Sequence, residues 1–262
     1  MPDSITLDET IEQGAIASTR DRDRRRWIIA GIATTLVVAL GVGVWYFVFR
    51  DDAPPAVDLE SAARSVTTDP DRSTSSASGL DGRWTVDTSV GDFALGTASF
   101  VGYRVQEELA SIGAKTAVGR TPEVDGALTI DGSTITEATI VADLTALVSD
   151  SSRRDGALRD QAIQTGQFPD ATFELTQPID LGSVPKDGDP VSTEAVGTLT
   201  LHGVTRPVTV TLDAQLEGGV IVVTGQLEVA FADYDIAKPT SFAVLTIEDH
   251  GIMELQLFFA RS

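Results

Sequence analysis

The alternation of apolar and polar residues is clearest in the stretch 196–216, which reads VGTLTLHGVTRPVTVTLDAQL. In its first arm Leu199 and Leu201 share one face, and in its second arm every other residue of Val208–Leu216 is apolar. A period of two residues is typical of strands that have one buried and one solvated face. Gly203 lies between the arms and can adopt the positive φ that a tight turn needs. The stretch is therefore predicted to form a β-hairpin.

The same alternation recurs along residues 82–262 and predicts a mostly β domain. The predicted strands are Arg83–Thr88, Asp92–Gly102, Ala117–Ile130, Thr134–Leu144, Ala171–Gln177, Glu194–Leu201, Val208–Leu216, Val220–Phe231 and Gly251–Arg261. Two pieces interrupt the rhythm: Asp150–Ile163 is predicted to be a short helix, and Val105–Ile112 to be irregular or helical. About eight antiparallel strands at this spacing, with few helices, favour either a barrel or a sandwich.

The stretch Trp27–Phe49 is apolar and carries no charged residue. As a helix it would span about 35 Å, which exceeds the hydrocarbon core of a bilayer at ~30 Å. A cleaved signal peptide is the alternative, but the preceding segment and the apolar run are both long, so a transmembrane anchor is predicted. Arginines crowd residues 20–26, whereas Arg50 is followed at once by two aspartates. The bias predicts a cytoplasmic N-terminus and an extracytoplasmic C-terminal domain in the cell envelope.

The chain is therefore predicted to have four parts. Residues 1–26 are polar and are predicted to be a disordered cytoplasmic tail that leads into the transmembrane helix, residues 27–49. Residues 50–81 are rich in Pro, Ser, Thr, Asp and Ala and are predicted to be a flexible linker with a reach of roughly 30 Å. A marginal helix at Ala56–Val66 is the alternative for part of this linker. The β domain, residues 82–262, follows.

Composition limits the chemistry that the chain can carry. Its net charge of −20 would repel a phosphate backbone, so nucleic acid is not an expected partner. There is no cysteine, and the two histidines, His202 and His250, lie in or beside predicted turns without the spacing of metal ligands. Neither a nucleophile elbow nor a phosphate-binding glycine motif occurs. We therefore expect no enzyme, no metal site and no tightly bound cofactor; a hydrolase that uses His202 is the weaker alternative.

Three blocks of sequence, in order, resemble the YceI-like family of polyisoprenoid- and lipid-binding proteins. G-T-L-T-L-H-G-V-T-R-P-V, residues 197–208, resembles the central hairpin of the family, and G-R-W-T-V-D-T-S, residues 82–89, its opening strand. S-S-R-R-D-G-A-L-R-D, residues 151–160, followed by Phe168-Pro169 and A-T-F-E, residues 171–174, is similar to its helix-and-strand signature. The resemblance implies an antiparallel eight-stranded lipocalin-like barrel with one or two short helices, and it favours the barrel over the sandwich.

The interior of such a barrel is the remaining functional surface, since an eight-stranded barrel is either filled by side chains or wide enough for one small ligand. The inward-facing candidates from the alternation are Phe93, Leu128, Ile130, Ile140, Leu144, Phe173, Leu175, Leu199, Leu212, Leu227, Phe231, Leu255 and Phe259, with Leu95, Val229 and Leu257 in the wider set. Two alternatives stay open from the pattern alone: these residues pack against each other, or they line a tunnel. The resemblance implies a tunnel for an isoprenoid tail.

Three arginines, Arg153, Arg154 and Arg159, lie on the predicted short helix beside aspartates. They are either solvated ion pairs or a cationic lip for the headgroup of a ligand. The chain is accordingly predicted to be a membrane-anchored extracytoplasmic binding protein for a long apolar lipid, such as a polyisoprenoid or an isoprenoid quinone. A ligand-free barrel that acts as an interaction module of the cell envelope is the alternative. The sequence identifies no protein partner.

Overall fold

In the computed structural model, the described residues are 38, 41–42, 53–67, 79–110, 113–239 and 244–262. The chain divides into two units, Met1–Arg50 and Asp51–Ser262, and the second contains every strand given below. The predicted tail, and the predicted transmembrane segment apart from residues 38, 41 and 42, lie outside the described residues. Among the residues that are described, no helix has both the length and the apolar character needed to cross a bilayer.

The described residues form one sheet of 13 strands. The strands are β1 (Gly82–Val86), β2 (Phe100–Leu109), β3 (Gly113–Thr121), β4 (Val124–Asp131), β5 (Thr134–Asp143), β6 (Val148–Ser149), β7 (Asp170–Leu175), β8 (Ile179–Asp180), β9 (Pro190–Leu201), β10 (Val204–Glu217), β11 (Val220–Ala230), β12 (Val244–Ile247) and β13 (His250–Arg261). Two short α-helices accompany them, α1 (Leu59–Thr67) and α2 (Ser152–Ala157), and α2 continues into a π-helical turn, Leu158–Ala162. Three 3-10 turns lie at Phe93–Leu95, Leu144–Ala146 and Phe231–Tyr234.

The sheet closes on itself as a barrel of eight antiparallel walls. The hydrogen-bonded order is β1-β4-β5-β7-β9-β10-β11-β13, and the end of β13 pairs back with β1. Further along β13, residues 252–256 pair with β2 instead, and β2 pairs with β3. β1 with β2 therefore forms one wall, and β3 with β4 forms the next. This arrangement confirms the prediction of an all-β, eight-stranded antiparallel barrel with short helices.

Three predicted elements were wrong in detail. The predicted strand Ala117–Ile130 is two strands, because β3 ends at Thr121 and β4 begins only at Val124. The piece Val105–Ile112, predicted to be irregular or helical, belongs to β2 as far as Leu109. The predicted strand Asp92–Gly102 begins as a 3-10 turn, since the Asp92 side chain accepts from the amide of Ala94 and Gly96 takes the left-handed conformation.

The predicted hairpin is confirmed and is formed by β9 and β10. Its turn residues, His202 and Gly203, both have positive φ, 52° and 74°, as a two-residue hairpin turn requires. The buried His202 ring donates through Nδ1 to the carbonyl of Tyr234, 2.9 Å away, and packs edge-on against Phe168. The contacts of His202 are therefore those of a structural turn residue.

Helix α1 lies within the segment that the sequence predicted to be a flexible linker, where a helix was the alternative. Its buried face, with Ala62 and Val66, packs against Val222 and Phe258. Because Val223 and Leu257 beside them line the barrel interior, Val222 and Phe258 face outward. The helix therefore covers the outside of β10 and β11 and packs beside Phe258 of β13, and residues 59–67 are not an extended, unattached linker.

Candidate functional site

An apolar cavity of about 140 Å³ occupies one half of the barrel; we call it the first chamber. Nine of the predicted inward-facing residues line it: Leu128, Ile130, Ile140, Phe173, Leu175, Leu199, Leu212, Leu255 and Phe259. Ala142 and Leu257 line it too, and the only polar side chains in its lining are Thr193 and Gln215. The alternation of β4, β5, β7, β9, β10 and β13 thus points these residues into one apolar space.

A second cavity of about 150 Å³, the second chamber, occupies the other half of the barrel. The predicted residues Leu144 and Phe231 line it, together with Leu158 and Ile163 of the segment that follows α2. Unlike the first chamber, it has charged residues in its lining, Glu107 and Arg154, and beside them the phenol of Tyr103. The second chamber is therefore the more polar end of the interior.

The two chambers meet inside the barrel. Val101, Ala171 and Met253 line both of them, so these three side chains form the junction between the chambers. Met253 has an unbranched, flexible side chain that can take up alternative positions at small cost. The junction can therefore widen without a change in the backbone, and the interior consists of two adjacent, mostly apolar spaces that these side chains separate.

Three predicted interior residues, Phe93, Leu95 and Leu227, do not line either chamber. Phe93 belongs to the 3-10 turn between β1 and β2 and borders a groove on the outside of the barrel, and its neighbour Leu95 is 76% exposed. Leu227 is partly buried and packs against a cluster that includes Leu144, Leu199 and Val229. These three residues line the chambers, but Leu227 itself does not. The alternation was correct along β11 but does not establish that a side chain reaches the cavity.

The three arginines predicted as a cationic lip have different environments. Arg153 and Arg159 are exposed, whereas Arg154 is partly buried and lines the second chamber. Arg154 Nη2 lies 2.5 Å from Oε1 of Glu107, and Nη1 contacts Asp150. Burial opposes the charge of Arg154, but its pKa is raised because the hydrogen bond and attraction of Glu107, with Asp150, outweigh that penalty. Only Arg154 is placed to contact a ligand inside the barrel.

Sequence reasoning missed Tyr103 and Glu107, which lie beside Arg154 in the second chamber. Val101, Tyr103, Val105 and Glu107 alternate along β2 and all line this chamber. The Tyr103 ring lies over Gly119 of β3, where an added Cβ would be 2.4 Å from the ring. Burial raises the pKa of Tyr103 well above the usual 10.0, so its hydroxyl stays protonated. The period of two residues along β2 could have predicted that Tyr103 and Glu107 face inward, but the predicted strand ended at Gly102.

The described residues contain no group of histidine, cysteine and carboxylate side chains that could hold a metal ion. Nε2 of His202 is buried and has no hydrogen-bond partner in the described part of the chain, so no serine hydroxyl is paired with it as in a catalytic triad. His250 is exposed and pairs with Asp249, 3.1 Å away. The geometry of the two histidines therefore gives the hydrolase alternative no support.

The described residues define a closed eight-stranded antiparallel barrel with a mostly apolar interior, and comparison with known proteins gives the family. The model of the YceI-like domain family matches residues 84–259, so the chain belongs to the YceI-like family. The chain is 33% identical over 126 residues to Protein YceI of Escherichia coli O157:H7, covering 47% of this chain and 59% of that protein. It is 29% identical over 147 residues to the UPF0312 protein VPA0850 of Vibrio parahaemolyticus, covering 51% of this chain and 73% of that protein.

Among solved structures, the chain is similar to a polyisoprenoid binding domain from Saccharophagus degradans implicated in plant cell wall breakdown. The TM-score is 0.51 at 20% identity, over 69% of this chain and 99% of that one. At this identity the similarity establishes the fold. The chain also spans only about six tenths of the length of Protein YceI, 59%.

Proposed function

We propose that the barrel binds one long apolar lipid, such as a polyisoprenoid or an isoprenoid quinone, in its two chambers, without changing it chemically. The observation that carries this proposal is the pair of adjacent, mostly apolar cavities inside the barrel. A barrel interior that served only for stability would be filled to the density of an ordinary core. Membership of the YceI-like family, and the name of its relative from Saccharophagus degradans, agree with a lipid ligand.

The volumes of the two chambers limit the size of the ligand that can bind without movement of side chains. Each chamber, at about 140 and 150 Å³, resembles in size an apolar protein cavity that stays dry and accepts a benzene-sized molecule. A longer tail must therefore pass the junction at Met253 and displace side chains along its way. Tail length, and the flexibility of the junction, then determine which lipid fits.

An organic extract of the purified protein, analysed by mass spectrometry, tests the proposal. The unaltered chain should yield an isoprenoid lipid in near-stoichiometric amount. Ala142→Trp places an indole in the first chamber and should abolish lipid recovery, at a folding cost of about 1–3 kcal/mol. Val148→Trp is the matched control, because Val148 is 50% exposed and lies outside both linings. Absence of lipid from the unaltered chain, with no binding of added isoprenoids, would refute lipid binding and favour a ligand-free interaction module.

We further propose that Trp27–Phe49 anchors the chain in the membrane and that the barrel lies on the extracytoplasmic side. The support is the uncharged apolar run and the arginines of residues 20–26. Protease added to cells whose outer envelope has been opened should cut within the predicted linker, around residues 51–79, and release the barrel. Protection of that segment, with cleavage of residues 1–26 instead, would reverse the orientation.

A further inference from the structure

The two chambers differ in the polarity of their linings, and the difference would orient a lipid that has one polar end. The first chamber has only Thr193 and Gln215 as polar side chains, whereas the second has a phenol, a carboxylate and a guanidinium. A polar group loses free energy when it is buried without hydrogen-bond partners. The polar end of a bound lipid would therefore occupy the second chamber and its hydrocarbon tail the first.

The second chamber offers hydrogen-bond donors to that polar end. Nε of Arg154 is buried and has no hydrogen-bond partner among the described residues. The Tyr103 hydroxyl keeps its proton because burial raises the pKa of this residue. Both side chains line the chamber. A ligand oxygen that accepts hydrogen bonds would satisfy an Arg154 donor that is otherwise unsatisfied.

The charges around these donors disfavour an anionic ligand. Arg154 is already paired with Glu107, 93% of which is buried, and with Asp150. A third carboxylate, Asp155, accepts from Ser149 Oγ at 2.6 Å and lies close enough to act on Tyr103. Lys115, opposite Glu107 on β3, lines the outer groove rather than the chamber. Among the described residues that line the chamber itself, Arg154 and Glu107 are the charged ones, and they already pair, so a phosphate would add an uncompensated negative charge there.

We propose that the polar end of the ligand is uncharged, a hydroxyl or a carbonyl, and that Tyr103 and Arg154 bind it while Glu107 and Asp150 exclude a phosphate or diphosphate. This inference rests on the proposed lipid binding. The sequence predicted a cationic lip for a headgroup, whereas the proposed site selects an uncharged group. Arg154 supplies hydrogen bonds there, and its charge is already neutralised by its carboxylate partners. A prenol and a prenylated quinone share this chemistry.

Probes that share a twenty-carbon isoprenoid skeleton test the proposal on the full chain in detergent micelles, by isothermal titration calorimetry. The probes are geranylgeraniol, a menaquinone with a geranylgeranyl tail, geranylgeranyl phosphate, and the hydrocarbon phytane. The alcohol or the quinone should bind at least about tenfold more tightly than the phosphate, and their relative affinity distinguishes a prenol from a quinone. Glu107→Gln and Asp150→Asn should each reduce the preference for the alcohol or the quinone over the phosphate. The Asp150 side chain is exposed, so we expect the Asp150→Asn variant to fold.

Tyr103→Phe tests the donor directly. The substitution should weaken the binding of the alcohol and of the quinone by about three- to tenfold, as the loss of one hydrogen bond does. The affinity for phytane should not change. Arg153→Gln is the control, because Arg153 is exposed and should not alter selectivity. If geranylgeranyl phosphate binds as tightly as geranylgeraniol while phytane still binds, the proposed neutral site is wrong. The proposed lipid binding would then remain supported. If neither phytane nor any other probe binds, the proposed function fails as well.

Discussion

At the scale of single residues, Glu254 is a carboxylate with no exposed side-chain surface. Its neighbours Met253 and Leu255 line the interior, so Glu254 faces outward, where Arg120 and Arg104 lie 2.7 and 3.5 Å away. Arg120 also donates to the carbonyl of Pro55, at 3.1 Å. The cluster therefore compensates a buried charge and ties the segment before α1 to the barrel.

Removing the charge of Glu254 should destabilise the barrel strongly. Glu254→Gln leaves two guanidinium groups beside each other with no buried carboxylate, and we expect a loss of about 3–5 kcal/mol in the free energy of unfolding. Urea denaturation followed by tryptophan fluorescence measures it. Glu228→Gln, on the exposed side of β11, is the control and should change stability by less than ~0.5 kcal/mol. Equal effects of the two variants would contradict the argument.

The exposed His250 should titrate above the ordinary histidine value. Its pKa is raised from 6.5, first by the hydrogen bond to Asp249 and then by nearby carboxylates. Because the pKa of His250 is higher in the folded state, protonated His250 stabilises the fold. This stabilisation is fully present below pH 6.5, the ordinary value, and is lost as the pH rises through the higher pKa of the folded state. NMR titration of the imidazole should show this shift, and Asp249→Asn should lower the pKa. A pKa at or below 6.5 in the unaltered chain would refute it.

At the scale of elements, α1 is held by its apolar face on the outside of β10 and β11, beside Phe258 of β13. Val66→Asp would place an unpaired carboxylate where Val66 is now 5% exposed, so we expect the helix to detach at a cost of about 2–3 kcal/mol. Ser61→Asp introduces the same charge at an exposed position in the first turn and should be nearly neutral. Hydrogen exchange along residues 59–67 would report the detachment. Unchanged protection in Val66→Asp would contradict the packing argument.

How far the sequence predicted these elements depended on how local their causes are. The hairpin of β9 and β10 was predicted correctly because alternation and turn chemistry agree within about twenty residues. The strand β2 was predicted to end too early, since the glutamates and alanine of 107–110 have poor β propensity and only pairing with β3 and β12 makes residues 107–109 part of the strand. Phe93 was misassigned because a side-chain cap at Asp92 overrides the alternation.

The candidate site was predictable to a similar degree. Residues such as Ile140 and Leu212 follow from period 2 on strands that the sequence already defined. The separation into two chambers, and the junction at Met253, follow from how all eight walls close, which no local pattern encodes. Arg154 could be distinguished from Arg153 and Arg159 only through Glu107, which is 47 residues away along the chain.

At the scale of the whole molecule, the junction should control the length of tail that the interior accepts. Met253→Trp fills the space between the chambers, at a cost of roughly 1–3 kcal/mol. The variant should still bind geraniol, whose ten-carbon chain needs only one chamber and small shifts of its side chains, but should lose most of its affinity for geranylgeraniol. Calorimetric titration with both alcohols measures the ratio, and Val148→Trp is the control. An unchanged ratio would show that the chambers do not act as one continuous site.

Barrel closure also has a consequence for biosynthesis. The final pairing joins β1 to β13, and its partners Val86 and Phe259 are 173 residues apart in the chain. At about 5–20 residues per second, a ribosome needs roughly 9–35 s to make the intervening chain. During that time the edges of β1 and β2 that pair with β13 have no partner strand and the barrel interior stays open, and non-local pairing of this kind is slow even afterwards. The nascent chain therefore depends on chaperones, or on protection at the site of synthesis, until β13 has emerged.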